Sequence, residues 1–207
     1  MCCIDFLRRH DPDQVRGSAD ASASALSALV ALPCRFWIVS SAYHAPYDRS
    51  MHANISRVIA AARDAGLEIS VERFPEGTRT AADAARAVGC EVAQIVKSLV
   101  FVADGMPVLA LVSGSNRVDL DRLATALGAD AARRAEGDEA RAASGFSIGG
   151  VPPFGHAHPM TVVIDRDLLG HERVWAAAGL PDAVFVIQPR DLVRVSGGRV
   201  VPLATAG

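Results

Sequence analysis

Ile95-Val96-Lys97-Ser98-Leu99-Val100-Phe101-Val102-Ala103-Asp104-Gly105-Met106-Pro107-Val108-Leu109-Ala110-Leu111-Val112 is the stretch that decides how this chain folds. Two apolar, β-branched runs flank Asp104-Gly105, a dipeptide suited to the positive φ angles of a tight hairpin turn. The pattern predicts strands over Ile95 to Ala103 and Val108 to Val112, and their near-continuous apolar character places both at the centre of a sheet. One charge interrupts the first run. Lys97 shares a strand face with Ile95, Leu99 and Phe101, whereas Val96, Ser98, Val100 and Val102 share the other. An ammonium held among such neighbours snorkels to a rim, carries a depressed pKa or meets an anion. Lys97 is also the single lysine among 21 Lys and Arg residues. Where arginine serves every other cationic position, a lysine retained inside an apolar strand points to a task.

Outward from the hairpin the pattern is regular. Ile55, Val58, Ile59 and Ala62 recur at helical spacing until Gly66 ends the helix. Leu67 to Phe74 alternates as a strand, and Pro75-Glu76-Gly77 turns the chain. Thr80, with Asp83 three residues on, forms a variant capping box for a helix closed by Gly89. A short helical turn covers Glu91 to Gln94. Beyond the hairpin, Ser113 to Asn116 forms a loop, Asp119 caps a helix from Leu120 to Leu127 closed by Gly128, and another helix spans Asp138 to Ala143. Strands follow at Met160 to Ile164, Arg173 to Ala176 and Ala183 to Ile187, with Asp165 and Asp167 capping the turn after the first. Pro189 starts a helical turn, and Gly197-Gly198 reads as a hairpin turn. The irregular alternation predicts a mixed α/β single domain: a mixed, mostly antiparallel sheet or barrel with surrounding helices.

With 207 residues and 50% hydrophobic composition, the chain can bury one substantial core. Its formal net charge of −2 argues against a broad basic surface for DNA, but not against reading the end of an RNA, which needs few phosphate contacts. Cys2, Cys3, Cys34 and Cys90 show neither zinc-ligand spacing nor a disulfide framework, which predicts a reducing, cytoplasmic setting. Residues 1–50 stand apart as poorly patterned. Arg16 to Ala28 is a low-complexity Ser/Ala stretch. Leu26 to Ala42 is apolar but too short to span a membrane, and Arg35 within it argues against a signal peptide. Met51 opens the first well-patterned helix. The expectation is a domain over 51–207 preceded by a flexible or non-native extension over 1–50; a native N-terminus that retains residues before Met51 in mass spectrometry contradicts the non-native reading.

The chemistry centres on Gly149-Gly150-Val151-Pro152-Pro153-Phe154-Gly155-His156. Three glycines and two adjacent prolines suit neither helix nor sheet interior, so the segment is a loop of fixed shape, rich in backbone amides. Such a loop is either an ordered turn or a surface that offers N–H donors to a carbonyl or anion. His156, His158 and His171 form no recognised metal motif, and no nucleophile elbow, phosphate loop or dinucleotide fingerprint occurs. An esterase with a side-chain nucleophile therefore lacks its nucleophile. Lys97 and the loop together suit ester hydrolysis, in which loop amides hold the carbonyl or developing oxyanion, water attacks, and the lysine anchors a phosphate or the substrate.

Phe74-Pro75-Glu76-Gly77-Thr78-Arg79-Thr80, Ile95-Val96-Lys97-Ser98-Leu99-Val100-Phe101 and Gly145-Phe146-Ser147-Ile148-Gly149-Gly150-Val151-Pro152-Pro153-Phe154-Gly155-His156 resemble, in that order, the YbaK/EbsC family. That family includes trans-editing aminoacyl-tRNA deacylases and the editing insertion domain of bacterial prolyl-tRNA synthetases. The likeness runs over about residues 52 to 203, with the Gly-x-x-x-Pro pattern at Gly149 and Pro153. It implies a barrel-like α/β fold that hydrolyses the ester of mischarged tRNA without metal or other cofactor. Backbone amides at Gly149 and Gly150 would hold the amino-acid carbonyl, and Lys97 would bind the terminal adenosine or its phosphate. The vicinal ribose hydroxyl, or the thiol of a cysteinyl substrate, would assist attack. Thr80, Ser98, Gly114, Pro153, Phe154 and His156 would line the substrate pocket. The implied partners are the 3′ end of mischarged aminoacyl-tRNA and a synthetase, with no membrane or DNA. The alternative is a non-catalytic module of the same fold that docks on a synthetase or an aminoacylated tRNA end.

Overall fold

The hairpin forms around the turn its sequence specifies. In the computed structural model, which describes residues 52–74 and 80–205, strand β2 (Val96–Ala103) pairs antiparallel with β3 (Met106–Ser113) along their whole length. Asp104 and Gly105 take φ of 48° and 81° at the tip, the positive angles a two-residue turn demands. A short strand β4 (Ala132–Arg134) adds antiparallel to Phe101, Val102 and Ala103 of β2. On the other side, β5 (Thr161–Asp165) runs parallel to β3, and β8 (Arg199–Val201) runs parallel to β5. The order is β4-β2-β3-β5-β8. A second, antiparallel sheet takes β1 (Val71–Arg73), β7 (Ala183–Ile187) and β6 (Val174–Ala177) in the order β1-β7-β6. The two sheets meet at a parallel bridge between Ile95 and Trp175.

The larger sheet is buried on both faces, which is why its central strands read as continuous apolar runs. Val96, Val100, Leu109, Leu111 and Ile164 face a core completed by Phe146, Phe154 and Phe185, together with Val58 of helix α1 (Ala53–Asp64). Phe101, Ala110, Val112 and Val163 face a second core with Leu203 and Leu123 of α3 (Leu120–Leu127). Thr80 caps α2 (Ala81–Val88): its hydroxyl accepts from the Asp83 amide at 3.1 Å, while the Asp83 carboxylate accepts from the Thr80 amide at 3.1 Å. Helix α4 (Gly137–Ser144) ends at Gly145, which leads into the glycine loop.

The mixed α/β reading holds, with three local differences. Strand structure within Leu67–Phe74 is confined to Val71–Arg73. Strand β4 carries two arginines and no apolar alternation; it is set by pairing to the β2 edge, and Arg133 is tied to Glu139 of α4 by bonds of 2.8 and 2.7 Å. Gly197-Gly198 is not a hairpin turn. Pro189 opens a full helix, α5 (Pro189–Ser196), with Leu192 buried, and Gly197 ends it at φ 63°. The next strand lies parallel to β5, a pairing that requires a crossover rather than a hairpin. The expectations for residues 1–50 and the Pro75-Glu76-Gly77 turn lie outside the described residues.

Candidate active site

A cavity of about 350 Å³ opens along the first half of β2. Every residue from Ile95 to Val100 contributes to its wall, facing α2, β6, the segment before β7 and the glycine loop. Of the residues singled out in the sequence, Thr80, Lys97, Ser98 and Gly149 line it. Most of the remaining wall is apolar, including Ala84, Val100, Ala140, Val151, Trp175 and Val184.

Lys97 is half-buried, and its ammonium donates to the main-chain carbonyl of Asn116. Burial pushes its pKa below the ordinary lysine value, and the Arg117 and Arg134 charges push the same way, while Asp165 opposes them. The Asn116 side-chain amide in turn donates to Asp165 (2.7 Å) and Asp167 (2.8 Å). Asp165 also caps the following turn through the Asp167 amide at 3.4 Å, as its position suggested. The carboxylate pair thus fixes the loop whose carbonyl holds the lysine.

The glycine loop divides by residue. Gly149 has φ +84°, lines the cavity, and its amide has no acceptor among the described residues. Gly150 does not share that role in the free protein: its amide closes a turn onto the Ser147 carbonyl at 3.0 Å. A Cβ there would meet the Leu180 backbone at 2.9 Å, so this glycine permits close packing. Pro153 and Phe154 are buried behind the cavity, with Phe154 packed against Phe185 at 5.6 Å between ring centroids. His156 is directed to the loop itself. Its Nε2–H donates to the Pro152 carbonyl at 2.8 Å, and burial holds its pKa below the usual imidazole value. Arg57 of α1 stacks on Phe146 at 3.9 Å and donates to the Gly145 carbonyl at 3.1 Å, fastening the base of the loop.

Gly114 is likewise outside the cavity wall. Its amide donates to the Ile95 carbonyl at 2.7 Å, and a Cβ would lie 2.2 Å from the Val92 carbonyl oxygen. Sequence reasoning missed Arg134, Ile148 and Trp175, which do line the cavity. Ile148 stands 61% exposed beside Gly149, an apolar platform at the rim. Only the Arg133-Arg134 doublet gave any signal for this group. Among the described residues, no cluster of three His, Cys, Asp or Glu side chains is placed to hold a metal ion. No described helix is long and apolar enough to cross a membrane.

The sequence pattern of the aminoacyl-tRNA editing domain matches residues 75–195. The chain belongs to the aminoacyl-tRNA editing domain family. Among similar proteins, YwhH of Bacillus subtilis (strain 168) is 31% identical over 134 residues, which cover 64% of this chain and 85% of YwhH. A proline–tRNA ligase of Acidithiobacillus ferrooxidans is 31% identical over 148 residues, or 72% of this chain but 26% of the ligase. The chain thus spans about a quarter of the length of that synthetase. A crystal structure of a candidate trans-editing enzyme for prolyl tRNA synthetase superposes with a TM-score of 0.72 and 44% identity, covering 76% of this chain and 100% of that one. In this editing domain, Lys97 of β2 and Gly149 of the glycine loop lie on the wall of one cavity.

Proposed function

We propose that the protein is a trans-acting deacylase that hydrolyses the ester bond of mischarged aminoacyl-tRNA in the cytoplasm. The observation that carries this reading is the convergence of Lys97, Ser98, Thr80 and the open amide of Gly149 on one cavity. The Gly149 amide is suited to the ester carbonyl and to the negative charge it gains when water adds. The Lys97 ammonium, with Arg134 beside the cavity, suits the phosphate of the terminal nucleotide. Water adds to the carbonyl carbon, the bond to the ribose oxygen breaks, and the ribose oxygen takes up a proton. A free amino acid and a deacylated tRNA result. With no side-chain nucleophile in the assignment, the vicinal ribose hydroxyl of the substrate assists the attack.

Action in trans is supported by the editing candidate that this chain covers from end to end. Likeness to part of a proline–tRNA ligase supports a synthetase as the source of the mischarged tRNA or as a docking partner. The test is a deacylation assay over a panel of mischarged tRNAs. The expected result is clearance of at least one by the wild type and its loss in Lys97→Ala. Tight binding of the same tRNAs without clearance would instead identify a docking module.

A further inference from the structure

Helix α1 contributes no described residue to the cavity wall, yet one of its faces holds both segments that surround Gly149. Asn54, Arg57, Val58 and Ala61 stand at i, i+3, i+4 and i+7 and so share that face. Arg57 takes the glycine loop. Its Nη2 donates to the Gly145 carbonyl at 3.1 Å, and its guanidinium carbon stands 3.9 Å from the centre of the Phe146 ring. The loop is closed on itself at this point, because the Ala157 amide donates to the Ser144 carbonyl at 2.9 Å. At Gly155, towards the other end of the loop, a Cβ would meet that of Ala61 at 3.2 Å. Asn54 takes the second segment. Its side-chain amide donates to the Gly179 carbonyl at 3.3 Å, and a Cβ at Gly179 would lie 2.9 Å from the Asn54 carbonyl oxygen. The next two residues abut the glycines: a Cβ at Gly150 would lie 2.9 Å from the Leu180 backbone, and one at Gly149 would lie 3.6 Å from Pro181.

Apolar contacts alone can pack a helix on a loop, so the guanidinium needs a separate reason. Among the described residues no carboxylate pairs with Arg57, and its Nε is buried without a hydrogen-bond partner. A partly buried guanidinium in that state costs stability that an apolar side chain of similar length would not. What its planar fork adds is direction: it fixes the aim of one carbonyl and the plane of one ring together. That carbonyl and ring belong to Gly145 and Phe146, the residues through which the chain enters the loop of Gly149. A local rule broken with no gain in stability is expected where function sets the residue.

We propose that Arg57, seconded by Asn54, is a positioning residue for deacylation: from behind the glycine loop it sets the direction in which the Gly149 amide meets the ester carbonyl. This role rests on the deacylase reading. Arg57 fixes the loop at its entry, and Asn54 fixes the segment against which Gly149 and Gly150 lean. Neither touches the substrate. The Gly149 amide faces a charge that appears only as water adds, so an error in its direction acts on the transition state more than on binding.

The test is steady-state deacylation of mischarged tRNA by Arg57→Gln, Arg57→Lys and Asn54→Ala, with the amide resonance of Gly149 followed by NMR in each folded variant. The expected result for Arg57→Gln is kcat lowered about tenfold with KM unchanged, within the hundredfold scale of a misplaced reacting geometry, and a shifted Gly149 resonance. Arg57→Lys keeps a charged donor but not the planar fork, so its kcat lies between those of Arg57→Gln and the wild type. Asn54→Ala, in the first turn of the helix, carries the test if Arg57→Gln does not fold; its kcat falls about fivefold, the scale of one lost hydrogen bond. Wild-type kcat in the folded variants, or a rise in KM with kcat unchanged, overturns the positioning role alone. A wild type that clears no mischarged tRNA overturns the deacylase reading and the positioning role with it.

Discussion

Lys97 and Ser98 are adjacent in sequence, lie on opposite faces of β2 and stand in opposite chemical conditions. The lysine ammonium is already held, by the carbonyl of a loop that Asp165 and Asp167 fix through Asn116. The serine hydroxyl is buried with no hydrogen-bond partner among the described residues. One side of the strand is therefore set in position before any ligand arrives, and the other is left open. The difference separates a preorganised charge from a group that awaits a contact, and such preorganisation is what makes a charge effective in a reaction.

The largest effect is expected where the held charge is removed. Lys97→Ala should lower kcat/KM by roughly a hundredfold or more, on the scale of one lost electrostatic contact in a reacting site, as read from initial rates of deacylation. The direction of the lysine pKa adds a signature. Its ammonium loses its proton below the pH at which a free lysine does, so activity that depends on it should fall on an alkaline limb below that of an ordinary lysine. Stability moves the other way. The unfolded chain keeps that proton longer, so this site contributes a rise in stability with pH between the lowered pKa and 10.5. Chemical denaturation at two pH values in that window should lose this contribution in Lys97→Met.

The glycine pair comes next. Gly149→Ala has room, with Pro181 at 3.6 Å, but must hold φ +84°. It should cost about 1–2 kcal/mol of stability and slow deacylation. Gly150→Ala meets the Leu180 backbone at 2.9 Å, so its damage should appear first in the melting temperature, with a loss of about 1–3 kcal/mol. Equal effects of the two on stability and rate would contradict the division between an open amide and a packing glycine. Asn116→Ala should cost about 1–2 kcal/mol, because it deprives the buried Asp165 carboxylate of a donor. It should also weaken activity through the loosened lysine, without abolishing it.

The smallest effect belongs to His156. Its pKa is lowered by burial, so below pH 6.5 the unfolded state takes up the proton first and stability falls with acidification towards the lowered pKa. His156→Gln should flatten that part of the stability profile. If it instead removes deacylation while the protein stays folded, His156 is more than a clamp on Pro152.

What the sequence reveals depends on whether the deciding contact is local. Asp104-Gly105 and the flanking apolar runs specify the hairpin by themselves, and Thr80 with Asp83 specifies a cap within four residues. Strand β4 was illegible because Ala132-Arg133-Arg134 has no periodicity of its own and forms against a distant edge. Gly197-Gly198 misled for a related reason: the same pair suits a hairpin or a helix end, and only the place of β8 beside β5 decides. At the site, Lys97 was legible as a charge out of place, and the glycine loop as a fixed backbone. Nothing local distinguished Gly149 from Gly150, since the difference lies in the Leu180 backbone. Nor could the chain pattern show that Gly114 packs on Val92, or that Arg134 and Trp175 reach the same cavity.

The most direct measurement is the rate of amino-acid release from a panel of mischarged tRNAs, with wild type and Lys97→Ala run side by side and spontaneous hydrolysis subtracted. Clearance of at least one tRNA by the wild type, reduced roughly a hundredfold in the variant, is the predicted result. A wild type no faster than buffer on every tRNA would contradict hydrolysis. A fully active Lys97→Ala would contradict the site.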